Sequence, residues 1–338
     1  MRSVNVGVIG AGYWGPNLIR NFHNLPQAEL LYVADKNAER LAHIHNLYPD
    51  VRTCRDYREM FDAPVEAVVI ATPVSSHFPI ALDCLKAGKH VLIEKPIACS
   101  IPEARQIIEL ADRLGLLVMS GHTFLYNPAV AALKEIIDSG EIGRIYYVNS
   151  TRVNLGLYQP DVNVVWDLAP HDVSILLDLL GDEPVSASAR GGRYVKKNVH
   201  DVAYLSLFFP DDVMADLRVS WLDPNKIRRI TIVGSKKMIV YDDIEPQDKV
   251  KIFDKSVEVQ PYTDTLEEFH LAYHYGEVAI YPLDWREPLE LECLDFLDCV
   301  RSGRTPRSDG ILGLKVVQVL EAAQSSLNNG GGKELIQW

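Results

Sequence analysis

The chain is predicted to be an α/β protein: an N-terminal domain built on a parallel sheet, then an α+β domain built on an open, mainly antiparallel sheet. Three observations predict it. From residue 4 to about 120, apolar strands alternate with helix-period segments, a spacing that makes a parallel sheet covered on both faces. Past residue 122 the rhythm changes to successive strand-like runs, some joined by turns as short as Phe209-Pro210-Asp211-Asp212, as in antiparallel meanders. The length, 338 residues, exceeds one ordinary domain. Together these place the domains at 1–122 and 123–338.

The first domain's strands are expected at 4–9, 29–34, 66–71, 90–94 and 116–120, with amphipathic helices at 14–24, 37–46, 77–87 and 102–114. A helix at 128–138, with Pro128 in its first turn, leads to a strand at 143–153 and a helix from Asp167 to Leu180. Strands follow at 184–194, 201–209, 213–221, 227–234, 236–242 and 248–253, and helices at 286–302 and 308–327 close the chain. Tyr204, Leu205, Phe208, Phe209, Leu217, Trp221, Ile230, Ile232 and Val233 give these strands more apolar surface than two or three helices shield. A homodimer or homotetramer through the open sheet is therefore expected.

Hydrophobic residues make up 47% and charged residues 24%, the balance of a globular protein with a sizeable core. A net charge of -12 argues against nucleic-acid and anionic-membrane partners, which need basic surface. A small anionic ligand at a helix N-terminus stays compatible with it. No stretch approaches the roughly 20 apolar residues of a membrane span, and Met1-Arg2-Ser3 leads into a strand with no signal-peptide pattern. The five cysteines form no CxxC pair, so reduced thiols in a cytoplasmic protein are expected.

The run Val4–Ile9 ends in Gly10-Ala11-Gly12-Tyr13-Trp14-Gly15, where a helix opens. That strand–turn–helix context gives a GxGxxG spacing its meaning. Gly10 permits the tight turn, Gly12 lets the backbone approach a pyrophosphate, and Gly15 lets the helix pack on the strand. The turn, Tyr13 and Trp14 included, reads as the phosphate cradle of a Rossmann-type dinucleotide-binding domain, with helix N–H groups aimed at the phosphates. Asp35 closes the second strand 20 residues beyond Gly15. Its carboxylate can accept both ribose hydroxyls and repels a 2′-phosphate, which favours NAD over NADP. Lys36 beside it is a cation that would tolerate the phosphate. The third strand ends in Ala71-Thr72-Pro73, shortly before His77, and the fourth in Glu94-Lys95-Pro96. Open α/β sheets bind ligands on this edge, so Thr72, Pro73, His77, Glu94 and Lys95 join the cofactor set. Lys95 also suits oxygen charge developing during hydride transfer; a surface lysine is the plainer alternative.

The stretch "ATPVSSHFPIALDCLKAGKHVLIEKPIA", residues 71–98, resembles the glucose-fructose oxidoreductase/inositol dehydrogenase/rhizopine catabolism (Gfo/Idh/MocA) family. The resemblance extends over essentially the whole chain. It implies a nicotinamide-dependent oxidoreductase acting on a sugar, cyclitol or sugar nucleotide, with an open-sheet second domain through which subunits often pair. It places the family's catalytic lysine at Lys95. In "WDLAPHD", residues 166–172, Asp167 and His171 lie four apart, on one helix face, and match the family's Asp and His. By residue type, His171 is the general base with a pKa near neutrality. Asp167 either orients it or binds a substrate hydroxyl; the competing reading is a helix-capping Asp with a core His. Asp172 points about 100° away around the helix.

"GHTFLYNPAV", residues 121–130, puts Tyr126 and Asn127 ahead of Pro128 as substrate contacts. Many family members carry a basic residue near Tyr126, and this chain does not. "TRVNLGLYQPDVNVVWDLAPHD", residues 151–172, adds Arg152, Asn154, Tyr158 and Asn163 on a loop beside the catalytic helix; a polar surface loop competes with that reading. No metal is expected. His270 and His274 are spaced HxxxH without a third ligand and read as surface or interface residues. His43 and His45 fall on opposite sides of a helix, and Ser75 and Ser76 lack the elbow of a hydrolase nucleophile. "GHTFLYNP" with "WDLAPHD" looks most like members acting at C3 of nucleotide-linked amino or deoxy sugars, UDP-N-acetylglucosamine above all. The alternatives are a free-sugar or inositol dehydrogenase, or a non-catalytic NAD-binding regulator, against which the intact Lys95, Asp167 and His171 set argues.

Overall fold

The computed structural model describes residues 2–159, 162–259 and 271–338, and it divides into two units. The first begins with β1 (Val4–Ile9), α1 (Gly15–Asn24), β2 (Ala28–Ala34), α2 (Ala38–Leu47), β3 (Arg52–Cys54), β4 (Ala67–Ile70), α3 (His77–Lys86), β5 (His90–Glu94), α4 (Ile101–Leu114) and β6 (Val118–Gly121). These strands run parallel in the order β3-β2-β1-β4-β5-β6. In this doubly wound arrangement a crevice opens at the carboxyl ends, where β1 neighbours β4. The residues of β4 are all buried, as in a strand covered on both faces. β3 escapes sequence reading because "RTC" carries no apolar pattern.

The chain continues with α5 (Pro128–Asp138), β7 (Ile145–Val153), α6 (Val164–Leu180), β8 (Ser186–Gly192), β9 (Val202–Phe208), β10 (Met214–Ser220), β11 (Ile227–Gly234), β12 (Met238–Asp242), β13 (Val250–Val259) and β14 (Leu271–Ile280). It ends with α7 (Pro288–Ser302), α8 (Gly310–Asn328) and β15 (Glu334–Leu335). The second unit holds one nine-stranded sheet, ordered β14-β13-β12-β11-β7-β10-β9-β8-β15, antiparallel except where β7 meets β10. β14 and β15 lie beyond the expected strands. His270 lies outside the described residues, and His274 pairs with Asp254 at 3.0 Å.

Asn163, not Asp167, opens α6: its side-chain oxygen accepts from the N–H groups of Val165 and Trp166, as a helix start requires. Gly181, at φ 70°, closes it. The apolar surplus expected of the strands is mostly shielded. Leu205, Phe209, Leu217, Trp221, Ile230, Ile232 and Val233 are buried, leaving Tyr204 exposed and Phe208 half-buried. Strand alternation explains the split, since successive side chains take opposite faces.

The two units do not follow the chain linearly. Residues 286–321 belong to the first unit and 322–337 to the second, whereas a boundary at 122/123 leaves all of them in the second domain. The reason lies in α7. Its Leu289, Cys293, Phe296 and Leu297 are buried in the same core as Leu18 and Phe22 of α1. The Phe22 and Phe296 rings meet edge to face with centroids 6.3 Å apart, a geometry worth about 0.5–1.5 kcal/mol beyond area burial. Arg20 forks onto both carboxylate oxygens of Glu287 at the foot of α7.

Arg152 requires a correction. It was expected on a loop as a substrate contact, but it lies within β7 and the residue is 5% exposed. Alternation turns Val148, Ser150 and Arg152 inward together. Asp172 of α6 receives Arg152 Nε at 2.8 Å on Oδ2 and Nη2 at 3.0 Å on Oδ1, and Ser150 Oγ donates to Oδ1 at 3.0 Å. This pair fixes α6 to the sheet. Arg152→Met leaves a buried carboxylate uncompensated and should cost about 3–5 kcal/mol in urea unfolding, while Arg152→Met with Asp172→Leu should recover most of the loss. A single variant as stable as wild type would show that the pair does not hold the helix.

Candidate cofactor and active site

β1 delivers the chain into Gly10, whose φ of 102° suits glycine. A Cβ on Gly10 would lie 2.5 Å from the Ala71 carbonyl oxygen, and one on Gly15 would lie 2.0 Å from the Gly10 carbonyl oxygen. Both positions exclude side chains, and α1 sits directly on the strand end. Gly12 differs, because the nearest atom to a Cβ there is Arg40 Nη1 at 3.5 Å, so its side of the turn is open to close approach. No side chain caps α1, whereas Asn37 caps α2. An uncapped helix N-terminus beside an open glycine turn fits a pyrophosphate. Tyr13 stands 85% exposed on the turn, and Trp14 beside it is also exposed.

Asp35 holds this turn. Its Oδ2 accepts from the Ala11 N–H at 2.7 Å and its Oδ1 from the Asn37 N–H at 2.8 Å. Each carboxylate oxygen has a further lone pair for a ribose hydroxyl. The cation beside Asp35 is Arg40, 3.6 Å from Oδ2, which adjacency in sequence does not reveal because it comes from the next helix. Lys36 is exposed and offers its carbonyl oxygen to Arg55.

At the end of β4, Thr72 Oγ1 accepts from Ser76 Oγ at 2.8 Å, and Pro73 is exposed. His77 is corrected as a cofactor contact. It is 1% exposed, with Nδ1 2.9 Å from the Pro96 carbonyl oxygen and Nε2 2.8 Å from that of Thr72. It ties together the turns that follow β4 and β5. Glu94 is buried beneath the edge, where its Oε2 accepts from the Lys95 N–H at 3.2 Å. Burial pushes the Glu94 carboxyl up to about 7, against the opposing pull of Lys95 and the Trp14 indole. Lys95 itself is half-buried at the end of β5.

In the second unit, α6 carries Asp167 and His171 one turn apart, both half-buried. Trp221 Nε1 donates to Asp167 Oδ2 at 2.9 Å, and the Trp221 and Tyr158 rings pack at 5.0 Å between centroids. The Tyr158 hydroxyl donates to Asp201 Oδ2 at 3.3 Å. Asp167 and Tyr158 thus meet through Trp221, which sequence reading had counted only as strand surface. Asn154 is half-buried beside them, its backbone bonded to Ser220 and Asp223.

Three expected substrate contacts are corrected because their polar atoms are engaged within the fold. Asn163 caps α6 and donates Nδ2 to Gln324 Oε1 at 2.6 Å. Asn127 is 2% exposed, caps α5, and donates Nδ2 to the Tyr241 hydroxyl at 3.0 Å. The Tyr126 hydroxyl donates to Asp295 Oδ2 at 2.7 Å, and burial pushes it far above the ordinary tyrosine range.

Comparison with known proteins bears on both halves. Residues 4–122 match a family model described as an oxidoreductase family with an NAD-binding Rossmann fold, and residues 130–240 match the GFO/IDH/MocA C-terminal domain. The chain is 29% identical to the UDP-N-acetylglucosamine 3-dehydrogenase of Acidithiobacillus ferrooxidans over 94% of this chain and 95% of that one. It is 27% identical to the scyllo-inositol 2-dehydrogenase (NAD(+)) of Bacillus subtilis over 97% and 95% respectively. A solved structure from Magnetospirillum magnetotacticum MS-1 superposes with a TM-score of 0.80 at 34% identity, covering 95% of this chain and 99% of that one.

Asp35 and Arg40 should set cofactor preference together. Asp35→Ala should raise the KM for NAD and admit NADP, because ribose acceptance and phosphate repulsion vanish while Arg40 remains to meet a phosphate. Adding Arg40→Ala should remove the gain with NADP. Steady-state kinetics with both cofactors checks this, and wild-type turnover equal with NADP would contradict it.

Proposed function

The chain belongs to the Gfo/Idh/MocA family of oxidoreductases and carries its NAD-binding Rossmann domain, and from that premise we propose that it transfers hydride between nicotinamide and C3 of a nucleotide-linked sugar. The observation that carries the reading is the face of α6 on which Asp167, anchored by the Trp221 indole, lies one turn from His171. The phosphates are assigned to the turn Gly10–Gly15 and the adenosine ribose to Asp35. Bound NAD supplies the two-electron acceptor, and the protein's part is the chemistry at the alcohol oxygen. Lys95 donates to that oxygen and stabilises its developing charge. His171 takes the hydroxyl proton, and Asp167 orients His171 or holds a neighbouring hydroxyl.

Similarity to a UDP-N-acetylglucosamine 3-dehydrogenase supports the nucleotide sugar. Similarity to a scyllo-inositol 2-dehydrogenase supports a free cyclitol as the second reading. NADH absorbance with UDP-N-acetylglucosamine and with inositols, side by side, separates the two.

The open face of the nine-stranded sheet is proposed to pair with a second copy. Phe208, Met214, Tyr147, Val233, Met238 and Phe253 are register partners in one row across six strands. Tyr147 and Met214 in that row are exposed. An apolar row of this length on an open sheet suits burial against its own copy. Light scattering at micromolar concentration should give a multiple of the chain mass, reduced to one chain by Tyr147→Glu with Met214→Glu. A single-chain mass for the wild type ends the idea.

His171→Ala should lose roughly 10²–10⁴-fold in turnover, the usual scale of general acid–base catalysis. It should also erase the histidine ionisation from the pH–rate profile while leaving cofactor affinity alone. Lys95→Ala should depress turnover, and Lys95→Arg should rescue it only partly, since a guanidinium is larger and planar. Asp167→Asn should do less damage if Asp167 only orients its neighbour. Wild-type turnover in His171→Ala would move the base elsewhere.

A further inference from the structure

Behind the carboxyl end of β5, wholly within the first unit, lies a cluster that the reading above leaves unused. Glu292 of α7 is 0% exposed, and its Oε2 accepts from Thr123 Oγ1 at 2.7 Å. Glu94 is engaged by the Lys95 N–H, which donates to its Oε2 at 3.2 Å. The second oxygen of each carboxyl, Oε1, is buried without a hydrogen-bond partner among the described residues, as are Ser120 Oγ and both ring nitrogens of His122. Ser120 and His122 flank Gly121, which pairs with Glu94 in the sheet; a Cβ on Gly121 would lie 3.2 Å from Glu94 Oε1. Glycine there makes the room.

Two carboxylates that feel each other in a buried site cannot both ionise. One proton between them turns an acceptor-only group into a donor and offers a partner to an oxygen that has none. We propose that Glu292 is a positioning residue for Lys95: it shares one proton with Glu94 and so fixes the carboxyl that holds the Lys95 amide. The inference rests on the reading of Lys95 given above.

The charged surroundings agree. Burial raises both carboxyls, and the Glu94 charge, then that of Asp295, raises Glu292 further, so Glu292 keeps its proton while Glu94 titrates at about 7. Lys95 faces Glu94 and His122, the two glutamates face Cys293, and burial with Lys95 lowers His122 to about 3, keeping it neutral. Because Glu94 rises from 4.5 on folding, the stability it contributes is full below 4.5 and is lost as pH rises through about 7.

The test is infrared spectroscopy of the full-length protein at mildly alkaline pH, above the titration of Glu94 at about 7, following the C=O stretch of a protonated carboxylic acid that resists exchange. Wild type should show the band and Glu292→Gln should lose it. Glutamine keeps the shape of the neutral acid, so Glu292→Gln should fold, bind NAD and turn over close to wild type. Glu292→Ala should lower kcat by up to about 10²-fold, the scale of a 1 Å misplacement, with little change in the KM for NAD. Glu94→Gln should reduce the loss of stability across pH 4.5 to about 7, leaving the share that Glu292, raised likewise, contributes. A wild type without the band, a band that survives Glu292→Gln, or equal damage from Gln and Ala overturns the proposal. Lys95→Ala keeps the band whatever becomes of its turnover, so a failure of the Lys95 reading is told apart.

Discussion

The seating of α1 directly on the end of β1, which leaves no room for a side chain at Gly15, is the constraint from which the first unit's site follows. With the Gly10 carbonyl oxygen only 2.0 Å from where a Gly15 Cβ would stand, the helix begins directly above the strand and no side chain caps it. Asp35 then has a backbone to hold, the Ala11 N–H, and α2 brings Arg40 against that carboxylate. The parallel register does the rest. It ends β1, β2, β4 and β5 along one edge, so Gly10, Asp35, Thr72 and Lys95 line it together.

A second determinant is the return of α7 to the first unit. Its apolar face completes the core around Phe22, and its acidic residues take partners from far earlier in the chain. Glu287 receives Arg20, Glu292 receives Thr123, and Asp295 receives Tyr126. These contacts engage the Tyr126 hydroxyl with Asp295 and fix one oxygen of Glu292 on Thr123.

In the second unit the period-2 alternation of strands decides which strand side chains face the core. Arg152 points inward to Asp172, so this cation serves α6 rather than a substrate. One turn earlier on the same helix, Asp167 meets the indole of Trp221, and Trp221 meets Tyr158. Asn127 and Asn163, polar and well placed in sequence, are consumed by helix starts. Among the described residues no helix is long and apolar enough to cross a membrane.

Much of this was determined by the sequence alone. The glycine turn with its strand, helix and Asp35, the strand-end Lys95, the spacing of Asp167 and His171, and the change from parallel to antiparallel architecture all rest on local sterics and short periods. Those act within a few residues and leave a pattern in the order of side chains. What only the tertiary structure decided is which polar groups find partners: Arg152 with Asp172, His77 with two carbonyl oxygens, Tyr126 with Asp295, Arg40 with Asp35, and Glu292 with Thr123. Desolvation makes those partnerships obligatory in the interior, yet the partners stand on different elements, and no local period records which elements will meet.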